Sequence, residues 1–502
     1  MTPTPPTMRR RLIPGLAVLA LAGTAAMGQL SYDWTGLGDG VTFSDPLNWL
    51  PNGVPGLLDE AKFDAAGSQT VNFLTSPTNT TASIENDTVL FNLAGQVYTV
   101  EELVVGDRLT DIGLLTVNGG SIATTTGLVQ IGRKFPATGT LLLTGNAALT
   151  SQRDILVGDA GFGTFQLDAG STVNCLNAFL ADKADSTGEA HIQGTWTIAS
   201  SLVIGNLGTA SLTIENGGTV TVGSATKVGD ELLSSGSLMI DGPGSTLAVT
   251  GSTTIGNFGQ GSLTVSNGGL LSTAGFKIAD DFASGALIDN ASIIDTLGTS
   301  VGNRAAGTLT LANGASLQSP LVSVVTLGTL EGSGTITGAL ANEGYTNPGN
   351  GTGILTVTDN FTQTLGTLNI ELGGTNLGTD YDQLAIGGTA TLGGTLNVSL
   401  INGFNPTDGE FVILQGGTIV GTFVVANLPP DFTITYEADR VLLSIGNTCV
   451  ADFNGDGFVN TQDVLAFLGA FVAGDPSADV NGDGTVNTLD FIMYLGLWNA
   501  RC

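Results

Sequence analysis

The sequence predicts an all-β protein: a parallel β-helix solenoid with a β-rich C-terminal cap, followed by a small α-helical module. Three observations predict it. Gly supplies 74 of 502 residues, roughly double its usual share. An aliphatic residue followed by Gly or Ala recurs at a nearly fixed interval through the middle of the chain. Near the C-terminus an oxygen-rich loop pattern appears twice in one frame. Composition excludes the other classes. Hydrophobic residues make up 42% and charged ones 12%, too apolar for charge-driven disorder. The glycines keep no three-residue period and Pro numbers only 16, which excludes collagen. So much Gly beside so few Lys, Arg and Glu opposes a helical fold. Bases number 14 against 44 acids, for a formal charge of −30, so no basic stripe exists for nucleic acid.

Residues 1–28 read as an export signal. Arg9, Arg10 and Arg11 precede the apolar run Leu16–Ala22, which is too short for a permanent span. Small residues at Ala26 and Gly28 place cleavage before Gln29. Export would leave 44 acids against 11 bases, a charge of −33. No later run reaches the ~18 apolar residues of a membrane span, so the mature chain is expected to be secreted, and soluble or attached through a partner.

Residues 29–100 are expected to hold an N-terminal cap and the first coils. Asp33-Trp34-Thr35-Gly36 and Asn48-Trp49 carry two of the four tryptophans. Exposed, such a pair could stack on sugar; buried, it closes the open end of a solenoid, which terminal repeats require. The second reading is preferred.

Residues 101–330 carry the repeat. Val105-Gly106-Asp107, Val157-Gly158-Asp159, Ile204-Gly205-Asn206, Val228-Gly229-Asp230 and Val301-Gly302-Asn303 are instances, with a mean spacing of 24.5 between Gly106 and Gly302. Each is followed by alternating aliphatic and hydroxyl residues, as in Ala210-Ser211-Leu212-Thr213-Ile214, the period of a strand with one buried face. Two or three short strands per ~24 residues describe one coil of a parallel β-helix. The Asp and Asn after each bend suit turns, which is preferred over a cation-binding edge. Residues 331–447 lose the period but stay strand-like, with Asn347-Pro348-Gly349, Tyr381-Asp382 and Leu392-Gly393-Gly394. The repeats and the Trp-rich opening resemble autotransporter-associated β-strand repeats, and 331–446 resembles the end of an autotransporter passenger region. That resemblance implies a surface-displayed β-helix.

Residues 449–502 differ in kind. Asp452, Asn454, Asp456, Gly457, Asn460 and Asp463 occupy positions 1, 3, 5, 6, 9 and 12 of a calcium loop. Asp479, Asn481, Asp483, Gly484, Asn487 and Asp490 occupy the same positions of a second loop downstream. Calcium takes six to eight hard oxygens, and the carbonyls of Phe458 and Thr485 would supply position 7. Two calcium ions are expected. Only an exit helix follows each loop, at Val464–Leu468 and Phe491–Leu495. A duplicated loop-plus-helix with Asp at position 12 closely resembles a type I dockerin. The resemblance implies that Thr461, Gln462, Thr488 and Leu489 dock on a cohesin-like receptor. Leu489 stands where the family usually has a small hydroxyl residue.

Cys449 and Cys502 bracket this module and, in an exported chain, are expected to form a disulfide. A dockerin variant ending in Gly-Cys serves as an anchoring region in some bacteria; this chain is similar but ends Arg501-Cys502. Cys175, in a strand block, is expected to be a core thiol. With one His, His191, and no Ser-His-Asp arrangement, Cys-His metal spacing or phosphate loop, catalysis is not expected. The functional expectation is a secreted, non-catalytic β-helical surface or matrix protein for adhesion, structure or glycan contact. The alternative is a dockerin-borne polysaccharide lyase or glycoside hydrolase.

Overall fold

The computed structural model describes residues 29–445, 449–456 and 458–500. The expected export signal, residues 1–28, lies outside them. The protein is 50% strand and 7% helix, a parallel β-solenoid of about 14 turns. A regular coil has three strands, such as Thr138–Thr144, Ala148–Ser151 and Ile155–Val157. Each pairs in parallel with its equivalent one coil on, as in Leu141↔Phe165, Leu149↔Val173 and Leu156↔Phe179. The longest strands form one sheet and the two shorter sets join into another. Because the regular coils are in register, inward side chains stack into columns such as Leu141, Phe165, Ala190 and Leu212, all buried. Burying that column removes the apolar face that no single coil can hide.

The recurring bend has a backbone cause. Gly106, Gly132, Gly158, Gly205, Gly229, Gly256 and Gly302 all have φ between 68° and 78°, and Ala181 and Ala279 stand at 56° and 57°. In this left-handed region a Cβ collides with the following carbonyl, so Gly is favoured. At Gly158 space is limiting as well, because a Cβ there would run into the carbonyl of Thr187 on the next coil. The Asp and Asn after the bend are turn residues bonded coil to coil. Asn206, Asn257 and Asn303 each donate through Nδ2 to Oδ1 of Asp182, Asp230 and Asp280, at 2.7, 2.7 and 2.6 Å. From Asp182 to Asn303 carboxylate and amide alternate; Asp159 and Asp182 do stand on adjacent coils, where Lys183 pairs with Asp182 and Gln130 donates to Asp159.

The first coils are closed by aromatic side chains. Trp34 and Trp49 are each 1% exposed and meet edge to face at 5.0 Å. Phe43 and Phe63 pack against Trp49 at 5.1 and 5.7 Å. The tryptophans therefore cap the core and offer no platform for sugar. Here the chain also reverses, with Asp33↔Leu50 and Trp34↔Trp49 antiparallel.

Parallel coils extend beyond the regular repeat on both sides. Glu60–Phe63 already pairs in parallel with Thr81–Ile84, and Thr395–Leu400 pairs in parallel with Val425–Asn427. What changes after residue 302 is coil length. Leu309 faces Leu330, Leu330 faces Thr346, and Leu368 faces Leu396, so the step from one coil to the next first shortens and then lengthens. The β-rich cap proper is the last turn, where Arg440–Ile445 runs antiparallel to both Gly409–Gln415 and Phe432–Tyr436.

Candidate functional site

The C-terminal module contains two helices, α1 (Thr461–Ala473) and α2 (Thr488–Ala500), each led in by a predicted loop. Asn460 caps α1 by accepting from the Gln462 N–H at 2.7 Å, while Asp463 accepts from the Asn460 N–H at 2.7 Å. This reciprocal capping box fixes the helix start. Gly474, at φ 65°, ends the helix in the left-handed region.

The two loops share one bonding scheme. Position 12 accepts from the backbone at positions 3 and 9: Asp463 from Asn454 and Asn460, Asp490 from Asn481 and Asn487. Position 3 accepts from the N–H of position 5, at 2.9 Å for Asn454 with Asp456 and 2.8 Å for Asn481 with Asp483. Position 5 accepts from position 7, at 2.9 Å for both Asp456 with Phe458 and Asp483 with Thr485. The Nδ2 groups of Asn460 and Asn487 close the ring on the carbonyls of Phe458 and Thr485. Asp463 and Asp490 are fully buried, and the backbone N–H groups of Asn460 and Asn487 hold their carboxyls below the usual range.

These turns bring carboxylates together in the first loop. Oxygens of Asp452, Asp456 and Asp463 lie within 4.8 Å of one another, the one such group of three or more His, Cys, Asp or Glu among the described residues. An all-oxygen, acidic set suits a hard cation. The second loop has the same hydrogen bonds without drawing Asp479, Asp483 and Asp490 equally close. Gly457 lies outside the described residues.

A small core joins the loops. Phe467 and Tyr494 stack at 4.0 Å with planes 2° apart, and Phe467, Ala478 and Tyr494 are fully buried. The Tyr494 hydroxyl donates to the Ala451 carbonyl at 3.1 Å and Trp498 Nε1 to the Asn460 carbonyl at 3.0 Å, so α2 is fastened to the first loop. Thr461, Gln462, Thr488 and Leu489 are all exposed. The exposed face continues through Leu465 and Gly469 on α1 and, at the equivalent positions of the second copy, Ile492 and Gly496 on α2. Among the described residues no helix is long and apolar enough to cross a membrane.

The cysteine expectations divide. Cys175 is a free, buried thiol pushed up to about 12 by burial, with Trp196 Nε1 3.4 Å from its sulfur. It is core, not a nucleophile. Cys449 is buried, while Cys502 lies outside the described residues. His191 sits on the strand Thr187–Ile192, in register between Gln166 and Thr213.

One polar groove was not anticipated. It has a volume of about 340 Å³ and crosses the later coils between Glu331 and Ser399. Asn347, Asn369 and Asn397 stand in register along it, joined by Nδ2-to-Oδ1 bonds of 2.7 and 3.1 Å. Asp382, at its edge, is 2% exposed and accepts from the N–H groups of Gly353 and Glu371, both at 2.8 Å. Burial pushes this carboxyl up to about 7. No single segment carries the groove, so only a signal crossing coils of unequal length could have revealed it. No protein-family model matches the chain, and no curated protein matches it either.

Proposed function

We propose that the protein is a secreted, non-catalytic β-helical scaffold of a bacterial surface or extracellular matrix, attached through its C-terminal module. In this reading the module is dockerin-like and binds two calcium ions, one on Asp452, Asn454, Asp456, Phe458, Asn460 and Asp463, the other on Asp479, Asn481, Asp483, Thr485, Asn487 and Asp490. Cys449 and Cys502 close it as a disulfide. The observation that carries the reading is duplication in three dimensions. Two loops with one bonding scheme each lead into a helix whose exposed face repeats Leu465 and Gly469 as Ile492 and Gly496. An apolar face outside the core invites a partner, and Thr461, Gln462, Thr488 and Leu489 lie at its loop end.

Calcium titration of the full chain tests the anchor. About two equivalents should bind, with a gain of helical signal; no binding at millimolar calcium removes the proposal. A second reading, a dockerin-borne polysaccharide lyase or glycoside hydrolase, has the acidic groove in its favour. Sustained product release from a panel of neutral and acidic polysaccharides would establish it over the scaffold.

A further inference from the structure

The groove between Glu331 and Ser399 breaks the regularity of the solenoid. In a regular coil the long strand passes straight into a Gly-rich turn. Here the strand Tyr345–Pro348 ends at Pro348, and the chain folds back so that Gly349 and Gly332 form an antiparallel bridge with reciprocal backbone bonds of 2.9 and 2.8 Å. Gly349 and Gly351 take φ of 87° and 84°, a path that side chains resist. The loop they shape forms a wall of the groove. Asp382 holds it there, since one carboxyl oxygen takes the N–H of Gly353, just after the loop, and the other takes that of Glu371.

The lining is rich in hydrogen-bonding groups. Asn347, Asn350, Asn369, Asn397 and Ser399 contribute amides and a hydroxyl, and Glu331 and Glu371 contribute carboxylates; no Lys, Arg or aromatic residue lines it. An Asn side chain has two N–H donors and two acceptor lone pairs. Within the ladder, Asn369 spends one donor on Asn347 and one lone pair on Asn397. The bond on each side fixes its orientation and leaves a second N–H and a second lone pair. Rungs repeat every ~4.8 Å, comparable with the rise of one sugar along an extended chain. The carboxylates favour hydroxyl donors and repel anions.

We propose that this groove binds a neutral, hydroxyl-rich glycan segment laid across the rungs. The inference deepens the scaffold reading by giving its glycan contact a place and a class, and it is separable from the calcium module. Asp382 is a positioning residue that holds the loop, while Asn369, Glu371, Asn350 and Ser399 face the ligand.

The test is calorimetric titration of the full chain with neutral hexasaccharides (β-glucan, xylan and mannan series) and with an oligouronate, each with calcium and with chelator. At least one neutral series should bind, independently of calcium, and more tightly than the oligouronate. Asn369→Ala and Glu371→Gln should each weaken binding at least tenfold, as should the loop variant Asn350→Asp, which leaves the ladder intact. Asn118→Ala lies in a second Asn ladder (Asn72, Asn92, Asn118) on the same sheet and should change nothing. Thermal melts confirm that each variant folds. Failure of all neutral series to bind, equal or better binding of the oligouronate, indifference to the groove variants, or loss of binding in chelator would each overturn the proposal. Hydrolysis of a bound neutral oligosaccharide would support the groove and overturn only the non-catalytic reading.

Discussion

Between residues 106 and 302 each coil is held by its neighbours. Strands have parallel partners on both sides, and the buried side chains form one continuous core. The module at 449–500 has no such lattice. Its buried apolar cluster among the described residues is only Phe467, Ala478 and Tyr494, and its first loop crowds Asp452, Asp456 and Asp463 within 4.8 Å. Both regions are duplicated sequence, but duplication does different work in each. In the solenoid a repeat supplies its neighbour's missing hydrogen bonds and apolar contacts. In the module it supplies a second copy of a loop whose like charges repel unless a cation lies among them.

Calcium removal is expected to separate the two regions most. Two sites held at 100 times their Kd would stabilise the module by about 5 kcal/mol, so chelation should lower the melting transition of so small a unit by about 40 °C. Calorimetry should show the β transition unmoved; if both move together, the contrast fails.

A pH effect comes next, and it belongs to the solenoid. The Asp382 carboxyl is raised from 3.8 to about 7 by burial. The folded chain therefore keeps this proton where the unfolded chain has lost it. Its stabilising contribution is full below pH about 4 and is lost as pH rises through about 7, up to about 4 kcal/mol. Urea midpoints of the wild type and Asp382→Asn should converge or cross over that interval; a constant difference sinks the idea.

Gly158→Val should cost the solenoid about 3 kcal/mol, combining a left-handed φ with a clash against the Thr187 carbonyl. Gly217→Ala has a similar φ of 81° and open space around the new methyl, so about 1 kcal/mol is expected. Equal losses would mean that coil spacing plays no part. Smallest is Tyr494→Phe, which removes the bond to the Ala451 carbonyl. It should lower only the module's transition, by about 1 kcal/mol.

How much was legible follows from how locally each feature is encoded. The bend column could be read because every regular coil needs a small residue at a left-handed position, from Gly106 to Gly302. The loops could be read because their oxygens lie close together along the chain, from Asp452 to Asp463 and from Asp479 to Asp490. The later coils were harder because their steps are so unequal: Leu330 to Thr346 is far shorter than Thr395 to Val425. That variation conceals any period, though the backbone pairing stays parallel. The groove inherits the same difficulty. Asn347, Asn369 and Asn397 are separated by unequal steps, and only the fold lines them up.

The reversed strands at the two extremities carry a consequence for assembly. An open parallel ladder offers unpaired N–H and C=O groups to any passing strand and can extend into fibres. Here Trp34↔Trp49 at one extremity and Arg440–Ile445 at the other run against the stack in the larger sheet, which opposes addition in the parallel sense to that sheet. About 14 turns at ~4.8 Å each give a rod of roughly 65 Å. The molecule is thus a ruler: its length is written as a number of coils, and deleting one should shorten it by a single graduation.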